Sequence, residues 1–347
     1  MTSIAVKEQI GSARFQNALA RRVQSVPPIW LMRQAGRYHK HYQALRQKYS
    51  FMDLCKQPDL AAEVALGPVR DFDFDAAILF SDLLFPLEGL GMGLEYTDSG
   101  PLLGWKLNPE TFSQLRSAED AWPCLQFQGE AVRATRERLP QDRSLIGFVG
   151  GPWTLFVYAV EGSHKGSLTA SKDLLSLFPR FCEVMVPLLA RNIELQLNNG
   201  AELVVIFDTA AGELMPDIFQ TEVTPQLELL TQKHSTRVGY YSKGTQPAHL
   251  RHPLFTEGDL AGVGVDSRWN MSEALHMFHR GFVQGNFDQA LLLLKPEQFH
   301  RRLIRYLEPL KEQDRAGWVC GLGHGVLPDT PEDNVRLFVD TVREVMQ

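Results

Sequence analysis

Eight short runs rich in β-branched and aromatic residues recur along the chain, and most are apolar at consecutive positions rather than at alternate ones. They are "PIWLM" (28–32), "DAAILFS" (75–81), "SLIGFVG" (144–150), "ELVVIFD" (202–208), "RVGYYS" (237–242), "LAGVGVD" (260–266), "GFVQGN" (281–286) and "GWVCGLG" (317–323). A strand that is apolar on both faces must be covered on both, which is the condition of a parallel sheet flanked by helices. The segments between the runs read as helices. "DLAAEVALGPVRDF" (59–72) precedes the second run, and "FCEVMVPLLARNIELQLNNG" (181–200) carries a 3.6-residue apolar stripe that stops at Asn199 and Gly200. The last helix is expected to start with Thr330 as N-cap and Pro331 in the first turn, with Val335, Phe338, Val339 and Val342 on one face.

Eight strands alternating with helices over 347 residues fit a (β/α)8 TIM barrel, an α/β fold, better than a doubly wound sheet. No Pro/Gly/Ser linker divides the chain, so a single domain spanning 1–347 is expected. The stretch from about 91 to 128, after the second run, is too long for a simple loop and predicts a small inserted element.

Charge then limits the partners. The formal net charge is -6 and no Lys/Arg-rich block occurs, which argues against a nucleic-acid or anionic-membrane surface. Any recognition of an anion must be local. Cys55, Cys124, Cys182 and Cys320 are isolated and show no CxxC spacing, which predicts reduced thiols in a cytoplasmic protein. The N-terminal stretch lacks a continuous apolar leader core, and no apolar run approaches the roughly 20 residues of a membrane span.

In a barrel of this kind the chemistry sits past the C-terminal ends of the strands. Arg33 and Arg37 follow the first run, Asp82 the second, Thr154 and Tyr158 the third, and Asp208 and Thr209 the fourth. Lys243, Asp266, Asn286 with Asp288, and His324 follow the last four. Two guanidinium groups four residues apart suit a ligand with more than one acid group, although isolated arginine pairs more commonly make structural ion bridges. Asp82 alone reads equally as a helix cap, and Tyr158 as a core residue with a satisfied hydroxyl. Lys243 has the position of a Schiff-base nucleophile. The glycines of "GLGHGVLP" suggest a phosphate cradle, but the following proline and the missing Lys-Ser/Thr argue instead for close backbone approach.

"PIWLMRQAGRY" (28–38), "FDAAILFSDLL" (74–84), "GFVGGPWTLFVYAVEG" (147–162), "GELMPDIF" (212–219), "YYSKG" (240–244), "VQGNFD" (283–288) and "GLGHGVLPDTPEDNV" (321–335) together resemble the uroporphyrinogen decarboxylase family. The resemblance runs from about residue 12 to the C-terminus. It departs at "HKHY" (39–42), where the family commonly has a Leu-Pro-Glu-Tyr-like stretch, and at Thr209, where some members carry serine.

The resemblance implies a cofactor-free, metal-free homodimeric (β/α)8 enzyme that removes the four acetate carboxyl groups of uroporphyrinogen III to give coproporphyrinogen III. It implies that Arg33, Gln34, Ala35, Gly36 and Arg37 hold substrate carboxylates. Asp82 matches the family's central aspartate, which accepts hydrogen bonds from the four pyrrole N–H groups, and Tyr158, Thr209 and His324 match further substrate contacts. Asp82 and Arg37 are the expected catalytic pair. Two rivals are a zinc- and cobamide-dependent methyltransferase of the same barrel family and a non-catalytic tetrapyrrole binder. The first needs more metal ligands than the nearby pair of Cys320 and His324, and the second leaves Asp82 with both arginines unexplained.

Overall fold

A computed structural model describes residues 11–97 and 100–347; the first ten residues of the stretch read for a leader, and two residues of the insertion, lie outside the described residues. Among the described residues nine strands are present: β1 (Ala76–Ile78), β2 (Leu94–Thr97), β3 (Gly100–Leu103), β4 (Ser144–Gly150), β5 (Leu203–Asp208), β6 (Val238–Ser242), β7 (Gly262–Gly264), β8 (Phe282–Phe287) and β9 (Trp318–Leu322). Seven form one curled parallel sheet in the order β1-β4-β5-β6-β7-β8-β9. Every residue of β4, β5, β6, β8 and β9 is buried, as the consecutive apolar runs require. The expected insertion is there too, as the antiparallel hairpin β2–β3 followed by short helical turns.

The run at 28–32 is not a full strand. It keeps a single parallel bridge, Ile29 to Cys320. Pro27 and Pro28 have no N–H to give a ladder, the Ile29 amide donates to the Asp75 side chain (2.9 Å), and the Leu31 amide donates to the Gln34 side chain (3.1 Å). On its two flanks the segment accepts from the Cys320 amide at Pro28 and from the Asp75 amide at Ile29, both 2.9 Å, so it lies between β9 and the start of β1.

The helix Phe178–Asn198 ends as its sequence requires, with Gly200 at φ +113°. The last helix differs. It begins at Glu332, because Pro331 is still extended at ψ 131°; Thr330 therefore falls one residue too early to cap it, and its buried hydroxyl has no partner among the described residues. Val335, Phe338, Val339 and Val342 are buried as expected.

A buried chain of amides ties the helices to the sheet and ends at the site. Gln196 clamps the Phe148 backbone of β4 from both sides (2.8 and 2.9 Å) and donates to Asn192 (3.2 Å). Asn192 donates to Gln128 (2.7 Å), and Gln128 donates to the Ser81 hydroxyl (2.8 Å), next to Asp82. Each member is paired, so the chain adds specificity without leaving an orphaned polar group.

Candidate active site

Because the seven strands are parallel, their C-terminal ends share one rim, and the polar residues that follow them meet there. Asp82 follows β1, the helix Pro152–Glu161 carrying Tyr158 follows β4, Thr209 follows β5, Lys243 follows β6 and His324 follows β9. Arg33, Gln34, Ala35, Gly36 and Arg37 lie on the loop after the Ile29 bridge.

That loop is shaped from within. The Gln34 side chain is buried and donates to the Ala76 carbonyl (3.0 Å) while accepting from the Leu31 amide, so its contribution is to the loop's form. Arg33 sits at φ +60°, a conformation unfavourable for a residue with a Cβ, and its stem crosses Gly325 so closely that a Cβ there would lie 2.4 Å from Arg33 Cδ. This is the role of the glycine beside His324: it lets the two loops approach. Beyond Arg37 the chain enters a short helix, Lys40–Arg46, with His39 at its N-cap. His39 is buried among Tyr38 and Phe72 and binds Asp71 through Nε2 at 2.7 Å, which fixes the conformation of the "HKHY" stretch.

Arg33, Arg37 and Lys243 have no ion pair or side-chain hydrogen bond among the described residues. The structural-bridge reading of the arginine pair therefore has no described carboxylate to rest on. Arg33 faces inward electrostatically: its charge lowers the pKa of Asp82, Tyr158 and Tyr241 and pushes His164 and His324 in the same direction. Arg37, exposed like Arg33, acts on Tyr42.

Asp82 does not cap the helix Phe85–Gly89, whose N-cap is Leu84 without a side-chain cap bond; it shapes the turn before it. One carboxylate oxygen accepts from the Leu84 amide (2.9 Å) in the turn that leads into the helix Phe85–Gly89. Burial raises its pKa, opposed by the Leu84 amide, the nearby Tyr96 hydroxyl, Arg33 and the Leu83 amide. Tyr96 comes from the inserted hairpin, so the insertion contributes directly to the site.

Tyr158 is placed through Asp208. The Asp208 carboxylate is fully buried beneath the N-terminus of the helix Pro152–Glu161, accepting from the Thr154 amide (3.0 Å), the Thr154 hydroxyl (2.6 Å) and the Tyr240 hydroxyl (3.2 Å). A Cβ on Gly151 would lie 2.4 Å from the Asp208 carboxyl carbon, which is why glycine precedes the helix. Burial pushes the Asp208 pKa up to about 6 in spite of these donors. Thr209, the next residue, is half-buried at the rim.

His324 is held by Tyr241, whose hydroxyl donates to the Gly323 carbonyl (2.7 Å) and lies 3.0 Å from His324 Nδ1, the two rings being stacked at 11°. With the hydroxyl proton committed to Gly323, Nδ1–H is the donor to Tyr241 and Nε2 is left as an acceptor. Burial, then Arg33, Lys243 and His164, lowers the His324 pKa to about 3, so the ring is neutral. A histidine whose folded pKa lies below its ordinary 6.5 withdraws stability as pH falls from about 6.5 toward 3, since the unfolded chain binds the extra proton. Asp82, Glu202 and Asp208, with raised pKa values, act in the opposite sense. The contribution of His324 is therefore read by difference. His324→Asn is expected to lose less melting temperature than wild type between about pH 7 and about pH 5, and equal losses in paired melts would contradict the buried neutral ring.

Sequence reasoning missed Tyr96, His164 and the clamping role of Tyr241. Tyr96 lies in an insertion and His164 in a Gly/Ser loop, where no periodicity marks a lone residue, and Tyr241 reads as strand core.

Comparison with known proteins shows the family. The family profile described as "Uroporphyrinogen decarboxylase (URO-D)" matches residues 11–345. A relative from Solibacter usitatus named uroporphyrinogen decarboxylase is 34% identical over 347 residues, covering 96% of this chain and 97% of its own. One of the same name from Gloeobacter violaceus is 34% identical over 333 residues, covering 92% and 93%. Among solved structures, a methyltransferase from Methanosarcina mazei superposes with a TM-score of 0.75 at 18% identity, covering 97% of this chain and 99% of that one; at that identity the likeness is one of fold alone. With the profile spanning nearly the whole chain and such relatives matching it from end to end, this chain belongs to the uroporphyrinogen decarboxylase family.

Proposed function

We propose that this chain is a carboxy-lyase that converts uroporphyrinogen III to coproporphyrinogen III, releasing four CO2. Family membership supports the reaction, and one observation of the site carries it: two cations, Arg33 and Lys243, act on the same pair of histidines, His164 and His324, at the rim beside Asp82, and neither makes an ion pair among the described residues. A ligand with many carboxylates supplies the missing charge.

The chemistry fits the residues. Losing CO2 from a pyrrolic acetate leaves an electron pair that needs a sink, and a proton added to the adjacent pyrrole α-carbon makes the ring cationic and able to take it. The methylene carbon is then protonated, and the ring proton is lost as aromaticity returns. One proton is taken up per CO2 released. Asp82 in this reading accepts the pyrrole N–H groups and stabilises the cation as it forms, which is preorganised electrostatic stabilisation of a developing positive charge. Arg33 and Arg37 anchor peripheral carboxylates, with Tyr158, Thr209 and His324 as further contacts.

The finer architecture belongs to the same proposal: the segment 28–32, wedged between β9 and β1, is the eighth stave of a single-domain (β/α)8 barrel. We also place the enzyme in the cytoplasm, consistent with four unpaired cysteines, and as a homodimer, which sedimentation velocity reads directly. The methyltransferase reading lacks a donor set, since among the described residues no three His, Cys, Asp or Glu side chains come together to hold a metal. The experiment is anaerobic incubation with uroporphyrinogen in the presence of a chelator. Turnover is expected, and activity that returned only with zinc would overturn the proposal.

A further inference from the structure

We propose that His164 is a positioning residue for this site: its imidazole holds the Tyr158 hydroxyl and sets whether that hydroxyl meets a ligand carboxylate as a donor or as an acceptor. The inference rests on the decarboxylase reading for its ligand, and on geometry for the pair itself.

Tyr158 lies near the end of the helix Pro152–Glu161, which closes at Gly162 with φ +81° and the Gly162 amide returning to the Tyr158 carbonyl (2.9 Å). This left-handed turn folds the next residues back over the last turn. His164 Nδ1 thereby comes 2.5 Å from the Tyr158 hydroxyl, with the rings edge to face at 5.2 Å and 70°. Both side chains are half-buried at the rim. The groups acting on the pair come from every neighbouring segment: Arg33 from the arginine loop, Asp82 after β1, Lys243 after β6, His324 after β9, and Lys165 on the same loop.

Burial, then Lys243, Arg33 and Lys165, lowers the His164 pKa, so the free protein holds a neutral ring with one N–H. Burial, with Asp82, pushes the Tyr158 pKa up to about 12, so its hydroxyl keeps its proton. Two arrangements share the one contact. Either Tyr158 donates to Nδ1 and turns only lone pairs to the cleft, or Nδ1–H donates to Tyr158 and frees the hydroxyl proton for the cleft. A carboxylate needs the second. Its arrival also offsets the charges of Arg33 and Lys243, which favours protonation of His164, and an imidazolium can only donate. Binding of a polycarboxylate therefore selects the arrangement in which Tyr158 is a donor.

The test is a double-mutant cycle with Tyr158→Phe, read alongside a histidine titration by NMR. His164→Ala and Tyr158→Phe are each expected to lower kcat/KM by roughly tenfold, chiefly through KM, and the double variant to be no worse than Tyr158→Phe alone. His164→Gln, which can still donate through its amide, should recover most of the loss, with melting temperatures unchanged throughout. In the ligand-free state the His164 midpoint should differ between wild type and Tyr158→Phe, and in wild type it should rise when benzenehexacarboxylate is added. Additive losses, or a midpoint indifferent to both changes, would overturn the pair. A wild type that fails to decarboxylate uroporphyrinogen would refute the substrate assignment instead, while the titration still decides the Tyr158–His164 coupling.

Discussion

Asp82→Asn is expected to lower kcat by roughly 10²- to 10³-fold, about 3 to 4 kcal/mol in the barrier, by comparison with deleting one preorganised oxyanion donor. The substitution keeps the shape of the side chain and the acceptor for the Leu84 amide, so the turn into the helix Phe85–Gly89 survives. What it removes is the charge. Pyrrole N–H groups bind a neutral acceptor tolerably well, but attraction to a carboxylate grows once a ring becomes cationic, so the loss falls mainly on the transition state. Asp82→Glu moves the same charge outward by one methylene and should also impair turnover. Anaerobic kcat for both variants, with a thermal melt beside it, separates chemistry from folding. Turnover within about fivefold of wild type for Asp82→Asn, or a loss explained by unfolding, would return Asp82 to a turn-capping role.

The second large effect is expected at the arginines. Arg33→Ala should lower kcat/KM by roughly 10- to 100-fold, the range of a charge-assisted hydrogen bond, and Arg37→Ala should leave no useful turnover. The two should differ in a second property. Arg33 helps to hold His324 and His164 neutral, whereas the charge of Arg37 acts on Tyr42. Arg33→Ala should therefore raise the pKa of both histidines, and Arg37→Ala should leave them in place. Lys243→Ala is expected to retain more turnover than either, because its amine contributes charge to the rim and has no assigned role in the chemical step. A complete loss in Lys243→Ala, matching the arginine variants, would restore the Schiff-base alternative.

How far the sequence reached is clear from individual elements. The runs that became β4, β5, β6, β8 and β9 were legible because both faces of each are covered, so their composition carries the signal alone. The run at 28–32 has the same composition and fails as a strand for a reason composition does not carry: its donors are missing at Pro28 and the preceding Pro27, and are diverted to Asp75 at Ile29 and to Gln34 at Leu31. Thr330 fails as a cap because Pro331 stays extended, one residue of geometry that a cap-and-proline pattern does not resolve. The strand-end residues Arg33, Asp82, Tyr158, Lys243 and His324 were legible as a set because a parallel sheet must deliver them to one rim. The partners that orient them were not. Asp208 under the Tyr158 helix, Tyr241 behind His324, and Tyr96 beside Asp82 act across 14 to 83 positions of chain, and such pairings exist only once the sheet is assembled.

The central claim is that this chain removes acetate carboxyl groups from uroporphyrinogen. The same anaerobic incubation, stopped at intervals, oxidised, and separated by carboxyl number, tests it most directly. The account predicts that the eight-carboxyl species gives way through intermediates to a four-carboxyl product in wild type, with that progression slowed in Asp82→Asn. A substrate that is retained on the protein while its eight carboxyls persist would contradict it and leave a tetrapyrrole-binding protein without turnover.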